Sequence, residues 1–187
     1  MIGVLVSGSG TNLQALLDAA LPVVAVASNR EDAFALERAR AAGVDAESFA
    51  IDTYASRAER DSAMADWLRG RGVRLVVCAG YMNLLTPTFL DCFPSNVINV
   101  HPSLLPAFPG MRAVEEALAA GVTMTGVTVH YVDEGLDTGL VIEQRDVPIV
   151  PGDTPESLHA RIHEIEHRLL PEVAGRLVEK LRSAATR

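Results

Sequence analysis

Short apolar runs rich in β-branched residues recur along the first hundred residues, and a stretch of helical spacing separates most of them. The runs are Ile2–Val6, 23–27, a weaker 46–51, 75–79 and Val97–His101. Runs of this length, apolar on both alternating faces, read as strands covered on both sides, the habit of parallel strands between two helix layers. The segments 12–20, 33–42 and 57–69 lie between them. Gly43 suits the C-terminal end of the second, and 57–69 sets Ala58, Met64, Trp67 and Leu68 among charges. Strand–helix alternation of this kind predicts a parallel sheet with helices on both faces.

The pattern changes after residue 101. A helix is expected over 113–120, then strands over 124–132 and 140–147, joined only by the short loop VDEGLDTG. A parallel crossover needs a longer connection, so this pair is expected to be antiparallel. Thr154 and Pro155 are a good cap and first residue for a final helix, which Pro171 is expected to kink or restart. The expected fold is α/β: a Rossmann-like, mostly parallel sheet with helices on both faces and an antiparallel strand pair in the C-terminal half. It is expected to be a single domain over 1–187.

Composition narrows the function classes. The chain has 187 residues, enough for one sizeable core, and a formal net charge of −8. That charge argues against a nucleic acid or an anionic membrane as partner, while leaving room for a local phosphate pocket. No apolar run approaches the roughly 20 residues of a membrane-spanning helix. MIGVLVSGSG is too short for a signal peptide, and the two cysteines, Cys78 and Cys92, suggest no disulfide framework. A soluble cytoplasmic protein is expected; its oligomeric state is left open.

Three motifs fall at the carboxyl ends of expected strands, where open α/β sheets bind ligands. Ser7-Gly8-Ser9-Gly10-Thr11-Asn12 joins the first strand to the first helix, and such a turn can aim backbone N–H groups at an anion. A dinucleotide loop would carry a third glycine where Leu13 stands and an acid where Ser28-Asn29 stands, so a single phosphate is the better fit; the plainer reading is a tight turn with no ligand. Asn99 and His101 lie two apart on one strand and so face the same side, with Pro102 ending the strand. A carboxamide beside an imidazole can stabilise an oxyanion and manage a proton, although such pairs are commonly just polar strand residues satisfied by the backbone. Asp137 stands between Gly135 and Gly139 in the short loop; an aspartate near His101 would favour the imidazolium, whereas most acidic loop residues are simply solvated.

Taken together, SGSGTNLQALL, AGYMNLLTPTF, INVHPSLLPAFPG, GVTVHYVDEGLDTG and the tail around HEIEH resemble the folate-dependent formyltransferases over essentially the whole chain. Within that group the N-terminal loop is similar to the branch acting on glycinamide ribonucleotide. The resemblance implies transfer of the formyl group of 10-formyltetrahydrofolate, a co-substrate and not a tightly bound cofactor, to the amine of 5-phosphoribosylglycinamide in purine biosynthesis. It implies Asn99, His101 and Asp137 as the catalytic trio, with His130 supporting them from a neighbouring strand. Gly10, Thr11 and Asn12 would hold the substrate phosphate and Glu166 the ribose. Tyr81, Met82, Asn83, Leu84 and Leu85, together with Asp133, Glu134, Gly135, Leu136 and Asp137, would line the folate pocket, with Arg57 near the far end of the folate. Asn83, Val114 and His163 depart from residues seen in relatives, which bears on affinity and leaves the trio intact.

Rival readings remain. A formyltransferase for methionyl-tRNA would call for a nucleic-acid-binding domain and a more basic surface. A formyl-folate hydrolase would be expected to carry an N-terminal regulatory domain. A non-catalytic nucleotide-binding module is a rival of another class. His163-Glu164-Ile165-Glu166-His167 also fits the zinc-protease pattern H-E-x-x-H, extended by His159. Three histidines spread over two helical turns span about 12 Å and do not converge on one ion, so no metal is expected.

Overall fold

A computed structural model describes residues 1–185. Seven strands form one sheet in the order β3-β2-β1-β4-β5-β6-β7. The first five, β1 (Ile2–Val6), β2 (Val23–Ser28), β3 (Asp45–Ser48), β4 (Leu75–Cys78) and β5 (Val97–His101), pair in parallel. The last two, β6 (Met124–Tyr131) and β7 (Val141–Pro148), are antiparallel to each other, and β6 is also antiparallel to β5. The fold expected from the periodicity is the fold observed.

Two cores follow from strand alternation. Ile2, Val4 and Val6 of β1 face one side with α1 (Thr11–Asp18), α2 (Phe34–Ala41) and α6 (Pro155–Ala185), burying Leu13, Leu16, Leu36, Leu158, Ile162 and Val173. Leu5 faces the other side, with Val76 and Val97, against α3 (Arg57–Gly70) and α4 (Pro87–Leu90) through Met64, Leu68 and Phe89. The short helix α5 (Ala113–Ala119) joins the first core through Val114. Because α1 leaves β1 toward one face and α4 follows β4 on the other, the adjoining strands β1 and β4 open a crevice at their carboxyl ends.

Several elements differ from the sequence reading. The third strand covers Asp45–Ser48, not 46–51, and Ile51–Thr53 forms a single 3₁₀ turn. The strand lies on the sheet edge and is polar, while the apolar Phe49 just after it serves packing and meets Trp67 edge-to-face at 5.7 Å. Helix α4 was not anticipated; Thr86 and Pro87 are its start signals, but four residues are too few for periodicity. Pro171 does not restart α6, which runs on through it to Ala185. Leu169, Leu170, Val173 and Ala174 on both sides of the proline are buried, and that burial outweighs the roughly 3 kcal/mol a helical proline costs. On α3, Arg60 and Asp61, which the pattern assigned to the charged face, are the most buried charges of the helix, at 1% and 0% exposure.

Candidate active site

Strand pairing brings the candidate residues together. Asn99 of β5 stands directly opposite His130 of β6 in the antiparallel register and beside Cys78 of β4 on its other flank. His101 follows two residues on, at the carboxyl end of β5. The connection from β6 to β7 then carries Asp137 over both. Gly139 is required there because a Cβ would overlap the carbonyl oxygen of Tyr131, and at Gly135 one would overlap the Thr138 hydroxyl. Asp137 itself has φ 54, a left-handed conformation that aspartate tolerates better than most residues.

Asp137 is the hub. Its Oδ2 accepts the Gly110 N–H at 2.8 Å and lies 3.4 Å from His101 Nδ1. Its Oδ1 lies 3.5 Å from Asn99 Nδ2 and 3.6 Å from His130 Nε2. Burial pushes its carboxyl pKa up, but the neighbouring His130 imidazole, the Gly110 N–H and the nearby His101 together hold it below the ordinary carboxylate value.

Proton positions on the two histidines follow from what they face. His101 Nε2 is 2.8 Å from the Phe108 carbonyl, which can only accept, so Nε2 carries hydrogen. With a second proton on Nδ1 the approach to Asp137 is attractive; without it two lone pairs oppose. His130 Nδ1 is likewise a donor, to the Tyr131 carbonyl at 2.8 Å. An unprotonated His130 Nε2 accepts from Asn99 Nδ2 at 3.2 Å; a protonated one turns to Asp137, and the Asn99 amide must then reverse.

A cleft of about 480 Å³ opens beside the trio. Tyr81, Met82, Asn83, Leu84, Leu85, Asp133, Gly135 and Leu136 line it, with Asn99, His101, His130 and Asp137 at its inner end. Arg57 and Glu134 do not: Arg57 donates to the Leu84 carbonyl at 2.5 Å instead. Met111, Val114 and His159 also line it. No strand or motif marks Met111; His159, one turn before His163 on the histidine face of α6, is marked in the sequence only as an extension of the H-E-x-x-H pattern. Cys78 lies on the floor, and burial pushes its thiol up to about 12, so it is no nucleophile.

The glycine loop and Glu166 lie apart from this cleft but next to each other. Gly10 caps α1 at φ 73 with no side-chain partner for the first helical N–H groups, which leaves them to face an anion. A Cβ at Gly10 would come 2.5 Å from that of Ala35, so helix packing alone already demands glycine there. Leu13 is fully buried where a dinucleotide loop needs glycine. Asn12 Nδ2 donates to Glu166 Oε2 at 2.9 Å, while Asn12 Oδ1 is buried without a partner. Glu166 is 4% exposed, and burial pushes its carboxyl pKa up against the opposing pull of Asn12 and of nearby histidines.

A ladder of imidazoles joins the two regions. The rings of His159 and His163 are 4.0 Å apart, and those of His163 and His167 are 5.7 Å apart and stacked. His159 lines the main cleft; His167 lines a shallower groove with Thr11, Gln14 and Arg38. The His159–His163 pair is tilted by 56° and only the His163–His167 pair is near parallel, and among the described residues no group of three or more His, Cys, Asp or Glu is placed to hold a metal ion. His163 Nε2 is 3.7 Å from Glu166, but burial, then its two ring neighbours, lower the His163 pKa to about 4, so the contact is not an ion pair near neutrality.

Residues 1–174 match the family model described as formyl transferase. The chain is 40% identical over 178 residues to a phosphoribosylglycinamide formyltransferase of Haemophilus influenzae, covering 92% of this chain and 84% of that one. It is 43% identical over 185 residues to the trifunctional purine biosynthetic protein adenosine-3 of Chironomus tentans, spanning 95% of this chain but only 13% of that longer protein. Among solved structures, glycinamide ribonucleotide transformylase 1 from Symbiobacterium toebii superposes with a TM-score of 0.90 at 51% identity, over 91% of this chain and 84% of the other.

Proposed function

The chain belongs to the formyl transferase family, and from that premise we propose that it transfers the formyl group of 10-formyltetrahydrofolate to the glycinamide amine of 5-phosphoribosylglycinamide. The observation that carries this reading is the convergence of Asn99, His101 and Asp137 at the inner end of a largely apolar cleft. The cleft suits a flat heteroaromatic donor lying against Tyr81–Leu85 and the 133–137 loop. The acceptor would run along the imidazole ladder, its phosphate on the N–H groups of Gly10, Thr11 and Asn12 and its ribose hydroxyls on Glu166.

The amine nitrogen attacks the formyl carbon, forming a C–N bond and a tetrahedral oxyanion. Asn99 N–H and the His101 imidazolium stabilise that charge, with Asp137 holding the imidazolium. Both His101 nitrogens are already engaged, so donation to the oxyanion requires the Phe108 carbonyl to release Nε2 when substrate binds. Collapse breaks the bond to the folate nitrogen, and the proton lost by the amine reaches that nitrogen through Asp137 and a water. No acyl-enzyme is formed.

The test is an assay of purified protein with 10-formyltetrahydrofolate and three acceptors: 5-phosphoribosylglycinamide, methionyl-tRNA and water. Formylated ribonucleotide as the dominant product is the expected result. Dominant transfer to methionyl-tRNA, release of formate alone, or no turnover would each overturn the reading.

A further inference from the structure

The cleft wall over residues 81–86 belongs to no helix or strand. Side chains from outside the cleft hold it at three backbone points. Met82 N–H donates to Ser7 Oγ at 2.8 Å, the Leu84 carbonyl accepts from Arg57, and Thr86 N–H donates to Asp61 Oδ2 at 2.8 Å. Two of the three anchors, Arg57 and Asp61, lie one turn apart on α3. The wall's own polar side chains contribute little, since Tyr81 Oη and Thr86 Oγ1 are buried without partners.

The Asp61 anchor is built differently from the others. Arg60 Nε and Nη2 both donate to Asp61 Oδ1, at 2.9 and 2.6 Å, and the two side chains are 1% and 0% exposed. Burying an ion pair is a weak source of stability, because desolvation offsets the attraction. What the pair does provide is a fixed, charged acceptor: with Oδ1 occupied by the guanidinium, Oδ2 is left aimed at the loop, and a carboxylate makes a stronger, shorter hydrogen bond than a neutral oxygen. Just past Thr86, fully buried Phe89 of α4 holds the far side.

We propose that Asp61, held by Arg60, is a positioning residue for the formyl donor: it sets where the wall carrying Tyr81–Leu85 stands, and thereby donor affinity, without touching the donor. This rests on the formyl-transfer reading above. Thr86→Pro is the cleanest variant. Thr86 has φ −80 and ψ 159, a conformation that proline adopts and that the following Pro87 favours. It removes the loop's donor while leaving the ion pair whole. Asp61→Asn, which leaves Arg60 without its countercharge, serves as the second variant. The KM for 10-formyltetrahydrofolate should rise about tenfold, as fits loss of one hydrogen bond to a charged group, with kcat and the ribonucleotide KM within about twofold. Amide hydrogen exchange at residues 82–85 should accelerate about tenfold in the same variants, with or without substrates. A donor KM within twofold of the parent's, equal rises for both substrates, or unchanged exchange in the wall would overturn the proposal. A parent protein that transfers no formyl group would overturn the proposed function instead, and the exchange experiment still decides the anchor.

Discussion

Asp137 offers two oxygens to four groups drawn from three stretches of chain: Gly110 and His101 on Oδ2, Asn99 and His130 on Oδ1. An asparagine in its place can keep the Gly110 hydrogen bond through its one oxygen but supplies no charge to an imidazolium. Asp137→Asn should therefore lower kcat by about 100-fold or more while circular dichroism stays that of the parent; turnover near the parental rate would remove Asp137 from the chemistry. His163 makes a separate, thermodynamic prediction. Its pKa is lowered to about 4, by burial and then by His159 and His167, against about 6.5 in an unfolded chain. Between those values the unfolded chain binds more protons, so the residue's contribution is fully present above about pH 6.5 and is lost as pH falls toward 4. His163→Gln abolishes that term. Its urea midpoint should fall less than the parent's between about pH 7 and pH 5, and parallel falls in the two proteins would show that His163 is not held neutral by the fold.

Among the elements, the β6–β7 hairpin carries most of the geometric demand. Tyr131 N–H bonds the Leu140 carbonyl at 2.9 Å just where Gly139 passes under the Tyr131 oxygen. Gly139→Ala should cost about 1–3 kcal/mol in urea unfolding and abolish most activity, as overpacking that displaces Asp137. Gly43→Ala, at φ 72 with no atom within 4 Å, should cost about 1 kcal/mol and leave activity alone. Similar effects at both sites would mean that backbone conformation, not the close approach, sets the requirement. The hairpin was legible because 124–132 and 140–147 read as strands with only a short glycine-containing loop between them, and the central strands were legible because burial on both faces leaves apolar runs. The edge strand β3 and the four-residue α4 carry no such run. Arg60 and Asp61 are the sharpest failure, since helical spacing assigns charges to solvent and gives no sign that two neighbouring charges can neutralise each other inside. At the site, strand parity and loop glycines singled out Asn99, His101 and Asp137 as candidates, while their joint role, like His130, came only from the resemblance. That Arg57 braces the cleft wall from outside it depends on a backbone carbonyl, which no sequence pattern announces.

Over the whole molecule, the sheet sets one half of the proposed chemistry at the β1–α1 turn and the other at the ends of β5 and β6, and the ladder on α6 runs between them. These parts need not be equally stable. β1 and β4 sit at the centre of the sheet with paired neighbours on both sides, whereas β7 ends the order and is bonded along one side only. Four of its eight residues are well exposed even where they pair, and the 132–140 connection hangs from that edge. Opening β7 would carry Asp137 away from His101 while leaving the other six strands of the sheet paired. Such a segment melts as its own cooperative unit, at a lower free energy than the remainder. Trp67, the single tryptophan, packs on Phe49 near the opposite border and reports on that remainder. In a urea titration, turnover should disappear at a lower concentration than the Trp67 fluorescence change, and coincident midpoints would show one all-or-none transition. Inactivation would then be reversible fraying of one margin, and an enzyme that had lost its activity would still be mostly folded.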